Sequence, residues 1–405
     1  MYKKYFPSLS ERINWKKLIY FDSACSYLKN IKTIEWINLY YNKFSCCSWD
    51  RESSYLGSLL ANEISIARQK TKEFIWAADG DYIVFTSSTT DSINKLIYAI
   101  DEKKINTFIV TDVEHNSNFL PQYEYSKLRN IDFNIFPYKD IFNIKKLDRE
   151  LSKYKEPFLF CITHSSNILG GINDIKTIAS IVHKNWGYIL VDDAQYICHH
   201  KENVMLNNID FLAFSGHKLW WPTGIGILYI KKSCEDLIKY SQKVWWWTIK
   251  YYKDNIPYYK LLPDFLEWWV QDFSAIMWFS ACIDFLKDMS YEKIEKYISE
   301  LNEYFWKQFN DKKMWDAFEV LNLPDSHIVT LSPKYFNAQD FHQYCNYFID
   351  DYVVSFRTWT MCADNYVNKY LNWNTNIIRL SFWIYNNKKD IESFMNIISY
   401  YLKSI

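Results

Sequence analysis

Four consecutive residues, Ser215-Gly216-His217-Lys218, hold side chains well suited to chemistry. They follow an apolar run, Ile209-Asp210-Phe211-Leu212-Ala213-Phe214, which reads as a buried strand. A lysine just past the carboxyl end of such a strand stands where open α/β sheets take their ligands. Partly desolvated, its amine titrates low enough to condense with an aldehyde as a Schiff base. Taken alone, the tetrapeptide does not outweigh a surface loop with one solvated lysine.

Other strand ends carry polar groups of complementary kinds. Tyr82–Thr86 is followed by Ser87-Ser88-Thr89-Thr90, hydroxyls at the start of a helix, which is a natural phosphate site. Thr107–Thr111 leads to Glu114-His115-Asn116, and Phe158–Thr163 to His164-Ser165-Ser166-Asn167. Tyr188–Asp192 ends on a carboxylate, with Gln195 close behind. Each has a plainer reading as a helix cap, a satisfied loop histidine or a turn residue. Gathered at one sheet edge, they match the needs of pyridoxal 5'-phosphate. Asp192 suits the pyridine nitrogen, which wants a carboxylate to stay protonated as an electron sink. Asn167 and Gln195 suit the phenolic oxygen, and His115 the flat face of the ring. Thr89, Thr90, Ser215 and His217 suit the phosphate.

The elements that must position these groups alternate. Strands at Tyr82–Thr86, Thr107–Thr111, Phe158–Thr163, Tyr188–Asp192, Ile209–Phe214 and Ile225–Ile230 are interleaved with helices near 58–74, 90–100, 118–128 and 174–184. That order predicts an α/β fold with a mostly parallel, doubly wound sheet. After about residue 285 the pattern changes to a long amphipathic helix, 291–309, then short strands near 328–331, 353–355 and 377–380, ending in a helix over 389–402. The expected division is a large domain over 19–285 and a smaller α+β domain built from 1–18 and 286–405.

Composition narrows the classes. Lysine and arginine number 47, as do aspartate and glutamate, so nothing points to nucleic acid or an acidic membrane face. No apolar run approaches the roughly 20 residues of a membrane-spanning helix, and Met1–Pro7 lacks the apolar core of a signal peptide. Nine dispersed cysteines without metal-type spacing suit reduced thiols, and predict a cytoplasmic protein with no metal site.

One count is abnormal. There are 18 tryptophans and only 8 glycines, where average usage gives roughly 7% glycine, about 28 residues. Trp245-Trp246-Trp247 and Trp268-Trp269 fall in loop-like segments, and Trp221 in the turn behind Lys218. Consecutive indoles there cannot all find packing, whereas glycine allows positive φ and close ligand approach. Most of these tryptophans are therefore expected to be glycines, from a UGA codon read under the wrong code. Trp15, Trp36 and Trp306 lie in contexts that suit a true indole.

The chain resembles the class V aminotransferase family of fold-type I pyridoxal-phosphate enzymes, most of all the cysteine desulfurases and selenocysteine lyases. The resemblance is carried by 20–24, 85–94, 114–118, 164–170, 191–195 and 215–226, and extends through Arg357-Thr358-Trp359-Thr360-Met361-Cys362-Ala363 and Arg379-Leu380-Ser381-Phe382. It implies that Lys218 is the Schiff-base lysine, Asp192 the pyridinium partner and His115 the ring-stacking residue. Arg379 would hold the substrate carboxylate, with Arg357 nearby, and Cys362 would be the sulfur nucleophile. Family motifs place glycine at Trp221, Trp246, Trp247 and Trp359. Departures are Ser87-Ser88 for Arg-Gly, Met361 for a histidine beside the cysteine, and Val270 for a threonine that reaches a partner's phosphate.

The expected activity is removal of sulfur from L-cysteine, giving L-alanine and a persulfide on Cys362. A sulfur-acceptor protein, a homodimer and iron-sulfur cluster assembly follow from the same resemblance. The alternatives are another class V enzyme (aminotransferase, epimerase-like or selenocysteine lyase) or, with every tryptophan literal, a non-catalytic scaffold.

Overall fold

The computed structural model describes residues 2–46, 54–220, 222–239, 248–267, 271–324 and 326–405. Trp221, Trp245, Trp246, Trp247, Trp268, Trp269 and Val270 lie outside the described residues. Two compact units divide the chain. One comprises Met1–Ile34, Ser165–Ile172 and Leu286–Ile405; the other comprises Glu35–His164 and Asn173–Phe285.

Strands β1 (Arg12–Ile13) and β2 (Lys16–Tyr20) form a hairpin closed by Asn14 and Trp15, both at positive φ. Trp15, whose sequence context suits a true indole, is 91% exposed at φ 68°, a setting that gives an indole no packing. Helices α1 (Ile31–Lys43) and α2 (Tyr55–Phe74) follow, with Ser54 capping α2 by accepting from the Gly57 N–H. Trp36 is on α1 and 38% exposed.

The second unit alternates as its sequence predicts. Its elements run β3 (Tyr82–Thr86), α3 (Thr89–Ala99), β4 (Thr107–Thr111), α4 (Leu120–Arg129), β5 (Asp132–Phe136) and α5 (Ile144–Leu151). They continue as β6 (Phe158–Thr163), α6 (Ile175–Lys184), β7 (Tyr188–Asp192), β8 (Phe211–Ser215) and β9 (Gly226–Ile230). These seven strands form one sheet in the order β3-β9-β8-β7-β6-β4-β5, in which β9 alone runs antiparallel to its neighbours. Every residue of β4, β6, β8 and β9 is buried, the mark of strands covered on both faces.

The strand expected over 209–214 is shifted, because Asp210 is drawn out of it. Its Oδ2 takes a hydrogen bond from the Ile189 N–H at 2.9 Å and pairs with His183 Nε2 at 2.7 Å. Strand β5 escapes sequence reading because it is an edge strand with Asp132 and Ile135 exposed, so no apolar run announces it. The hairpin of β10 (Ile249–Lys253) and β11 (Ile256–Tyr259) is also unannounced, its side chains being largely exposed tyrosines and lysines.

Helix α7 spans Phe273–Met289 and α8 Tyr291–Asp311. The first unit is completed by β12 (Phe318–Val320), β13 (Ile328–Pro333), α9 (Ala338–Gln343), β14 (Tyr352–Ser355), β15 (Arg357–Thr358), α10 (Asp364–Leu371), β16 (Ile378–Ser381) and α11 (Lys388–Ser404). Strand β14 joins β2 in parallel, and β12-β13-β16-β15 form an antiparallel sheet. Phenylalanines pack its core, among them Phe21, Phe305, Phe341, Phe382 and Phe394, with Trp306 against them. A capping box of Asn387 and Asp390 starts α11.

Candidate active site

The two units each carry one set of the expected residues. In the second unit, the carboxyl end of the sheet is built around a glycine. Gly226 opens β9 between Thr86 of β3 and Ser215 of β8. A Cβ there would stand 2.5 Å from the Ser88 carbonyl carbon, so only glycine lets the Ser88 backbone lie on the strand. Ser88 caps α3, accepting from the Asp91 N–H at 3.1 Å. The next residue, Thr89, donates its N–H to Ser215 Oγ at 2.6 Å, and its own hydroxyl meets the same oxygen at 2.6 Å. Thr90 Oγ1 meets Ser117 Oγ at 2.7 Å. The structure thus brings Thr89, Thr90 and Ser215 to one helix N-terminus, where backbone N–H groups and the helix dipole favour an anion. His217 and Lys218 follow on a 3-10 turn, both half-buried.

Asp192 ends β7 and is buried, with its Oδ1 accepting from the Ala194 N–H at 3.0 Å. Burial raises its pKa, and the positive charge of Lys218 is the main force opposing that rise. The amine and the carboxylate therefore feel each other electrostatically at the ends of adjacent strands. Gln195 is buried in the turn that follows.

His115 begins a 3-10 turn and its Nδ1 accepts from the Ser117 N–H at 3.1 Å, which leaves Nε2 as the protonated nitrogen of a neutral ring. Its place is fixed by Glu114, whose role sequence reading missed. Buried Glu114 accepts from the Thr111 hydroxyl (2.5 Å), the Thr163 N–H (3.1 Å) and the Asn118 amide (2.6 Å). It ties the ends of β4 and β6 to the His115 loop. Burial pushes its carboxyl up to about 8, against the pull of those three donors.

In the first unit, Arg379 of β16 is 3% exposed. Its Nη1 donates to the Asn167 carbonyl at 2.9 Å and its Nη2 to Asp22 Oδ1 at 3.3 Å. Its Nε is buried with no hydrogen-bond partner. A buried guanidinium with an unspent donor suits a carboxylate ligand. Asn167 in turn donates its amide to the Met361 carbonyl at 2.6 Å, which ties it to the cysteine-bearing loop. Cys362 is exposed on that loop, where Trp359, Met361 and Cys362 all take positive φ. Arg357 donates to Asp22 Oδ2 at 2.8 Å and also reaches Cys25 Sγ. Asp22, which orients both arginines, escaped sequence reading; its signal is a carboxylate directly after the apolar stretch Leu18–Phe21.

A doubly wound sheet with a lysine, a carboxylate and an anion cradle at its carboxyl edge is consistent with the aminotransferase class-V family. Its model matches residues 19–394, and the chain belongs to it. Among curated relatives, the chain is 30% identical over 402 residues to a probable cysteine desulfurase of Halalkalibacterium halodurans, spanning 96% of this chain and 95% of that protein. Among solved structures, the apo cysteine desulfurase of Thermococcus onnurineus superposes with a TM-score of 0.87 at 22% identity, over 100% of this chain and 98% of that one. A C-DES mutant carrying glycine covalently linked to its PLP cofactor gives a TM-score of 0.81 at 17% identity, covering 98% of both chains.

Proposed function

We propose that this chain is a pyridoxal-phosphate-dependent cysteine desulfurase that converts L-cysteine to L-alanine and leaves the sulfur as a persulfide on Cys362. The observation that carries the reading is the placement of buried Asp192 and half-buried Lys218 just at the carboxyl ends of the adjacent strands β7 and β8, beside the Thr89–Ser215 cradle. Those residues fit the cofactor: a carboxylate held in a dry site, an amine within its field, and a helix N-terminus with hydroxyls. When bound, the cofactor supplies an electron sink for charge developing on the substrate's Cα.

The remaining work belongs to the chain. Lys218 would hold the cofactor through its aldehyde group and would move the substrate's Cα proton. Asp192 would keep the pyridine nitrogen protonated, and His115 would cover the ring. Asn167 and Gln195 donate to the phenolic oxygen. Thr89, Thr90, Ser215 and His217 hold the phosphate. Arg379 takes the substrate carboxylate, with Arg357 assisting. The Cys362 thiol attacks the substrate sulfur as a thiolate; the new S–S bond forms as the Cβ–S bond breaks, and a proton on Cβ completes alanine. The exposure of Cys362 supports this, since a persulfide must be handed to an acceptor. The acceptor is a protein, and the working form is a homodimer in the cytoplasm. No helix among the described residues is long and apolar enough to cross a membrane.

The test uses L-cysteine with the cofactor-loaded protein. Mass spectrometry should find a persulfide on Cys362, and Cys362→Ala should lose sulfide release while retaining the cofactor absorbance band. Lys218→Ala should lose the band of the internally bound cofactor. Undiminished sulfide release by Cys362→Ala would sink the desulfurase reading.

A further inference from the structure

Among the described residues, six tryptophans stand on left-handed backbone: Trp15 (φ 68°), Trp76 (55°), Trp186 (64°), Trp220 (62°), Trp359 (83°) and Trp373 (58°). There an L side chain crowds its Cβ against the following carbonyl, and glycine escapes the clash. The settings of Trp15, Trp76 and Trp186 are those that glycine serves, whereas Trp220 is fully buried against Phe285. Asn14 and Trp15 close a hairpin in which Ile13 pairs with Lys16, and both take positive φ. Such a turn is type I′, for which Asn-Gly is the favoured pair.

Trp76 and Trp186 are the first residues past the C-caps of α2 and α6. Trp76 N–H donates to the Glu73 carbonyl at 3.3 Å and Ala77 N–H to Lys72 at 2.8 Å. Trp186 N–H donates to the His183 carbonyl at 3.1 Å and Gly187 N–H to Val182 at 2.9 Å. This paired pattern is the Schellman ending, whose left-handed residue is usually glycine. Packing does not offset the strain, because Trp76 is 55% and Trp186 80% exposed.

We propose that the residue at positions 15, 76, 186, 220, 359 and 373 is glycine in the protein its cell makes, encoded by UGA and rendered as tryptophan under another code. Two positions bear on the site: 220 lies just beyond Lys218, and 359 just before Cys362. Glycine there frees the backbone that carries the amine and the thiol. Trp36, Trp278, Trp306, Trp315 and Trp383 are not among the positive-φ residues, and the proposal leaves them out.

The test is peptide mass analysis of the protein purified from its own cells, alongside the gene's codons. Glycine masses and UGA at the six positions are expected; tryptophan masses at 76 and 186, or UGG codons there, overturn the proposal. A second arm compares recombinant Trp76→Gly with Trp76→Ala, and likewise at 186. Both remove the indole, but only glycine removes the Cβ. The glycine variants should shift the thermal midpoint upward beyond the alanine variants, and equal shifts would overturn the backbone argument. Neither arm reads enzymatic activity, so the outcome is independent of the desulfurase reading.

A separate observation carries a second inference. His164 just past β6, Asp193 just past β7, and Glu202 are all buried, at 3%, 0% and 1% exposure. His164 Nδ1 lies 3.0 Å from Asp193 Oδ1 and 2.8 Å from Glu202 Oε2. One N–H cannot serve both carboxylates, and Asp193 Oδ2 and Glu202 Oε2 are buried without a hydrogen-bond partner. Two carboxylates facing at most one imidazolium leave a buried negative charge, which is costly. A divalent cation with a neutral imidazole balances it completely. The three ligand atoms lie within 4.8 Å of one another, as one ion requires.

The geometry points to a structural divalent-cation site of one histidine and two carboxylates, suited to Zn²⁺, Mn²⁺ or Fe²⁺. It would clamp the turn that holds Asp192 to the end of β6. The holoenzyme's metal content should be about one equivalent per chain, lost in Glu202→Gln, and Zn²⁺, Mn²⁺ or Fe²⁺ added after chelation should raise the thermal midpoint of the parent but not of the variant. A metal-free protein whose midpoint none of the three moves would overturn the site and leave a shared proton as the balance of charge.

Discussion

Asp22 binds two arginines that stand opposite each other on the antiparallel strands β15 and β16. Its Oδ2 takes Arg357 Nη2 at 2.8 Å, and its Oδ1 takes Arg379 Nη2 at 3.3 Å. Asp22 is buried and Arg379 almost wholly so, so the pair is shielded from solvent. Asp22→Asn leaves a buried guanidinium without its counter-charge, which should cost about 3 kcal/mol of stability. Denaturant unfolding checks this, and a change within about 0.5 kcal/mol would show that the carboxylate is dispensable.

Arg379 should set the affinity for the substrate carboxylate. Arg379→Lys keeps the charge but loses the planar fork. The expected result is a rise in KM for L-cysteine of about tenfold or more, with a smaller change in kcat. An unchanged KM would move the carboxylate site elsewhere.

Ser215 should act through the phosphate cradle. Ser215→Ala removes the acceptor for the Thr89 N–H and the partner of the Thr89 hydroxyl. A hydrogen bond to a charged group is worth about 1.5–3 kcal/mol, so cofactor retention should weaken at least about tenfold. Equilibrium dialysis of the cofactor against parent and variant measures it.

Glu114 should make stability depend on pH. Burial pushes its carboxyl up to about 8, above the ordinary glutamate value of 4.5. The folded state therefore holds the extra proton between those values, and this contribution is present below the lower value and lost as pH rises through the upper one. Glu114→Gln removes the titration. The stability gap between parent and variant should shift against the parent from pH 5 to pH 8, at up to about 1.4 kcal/mol per pH unit. A gap that stays constant with pH would mean that the three donors, and not burial, govern Glu114.

Much of this protein is set by its sequence alone. Fully apolar runs ending in polar residues specify a parallel sheet and place Asp192, Lys218 and Thr89 at one edge, because period and punctuation are local properties. The excess of tryptophan over glycine is likewise visible in the composition. Only the tertiary structure decides which polar groups meet. The Ser215–Thr89 bond spans β8 and α3, and the Asp22 bridge joins the segment after β2 to the paired strands β15 and β16, so neither is written in any spacing. Edge strand β5 needs β4 to exist at all. Backbone handedness is also a folded property: the local sequence context suits a true Trp15, and the positive φ of its hairpin turn reverses that reading. Sequence fixes which elements form through short-range sterics and burial, whereas long-range pairing depends on how the chain closes upon itself.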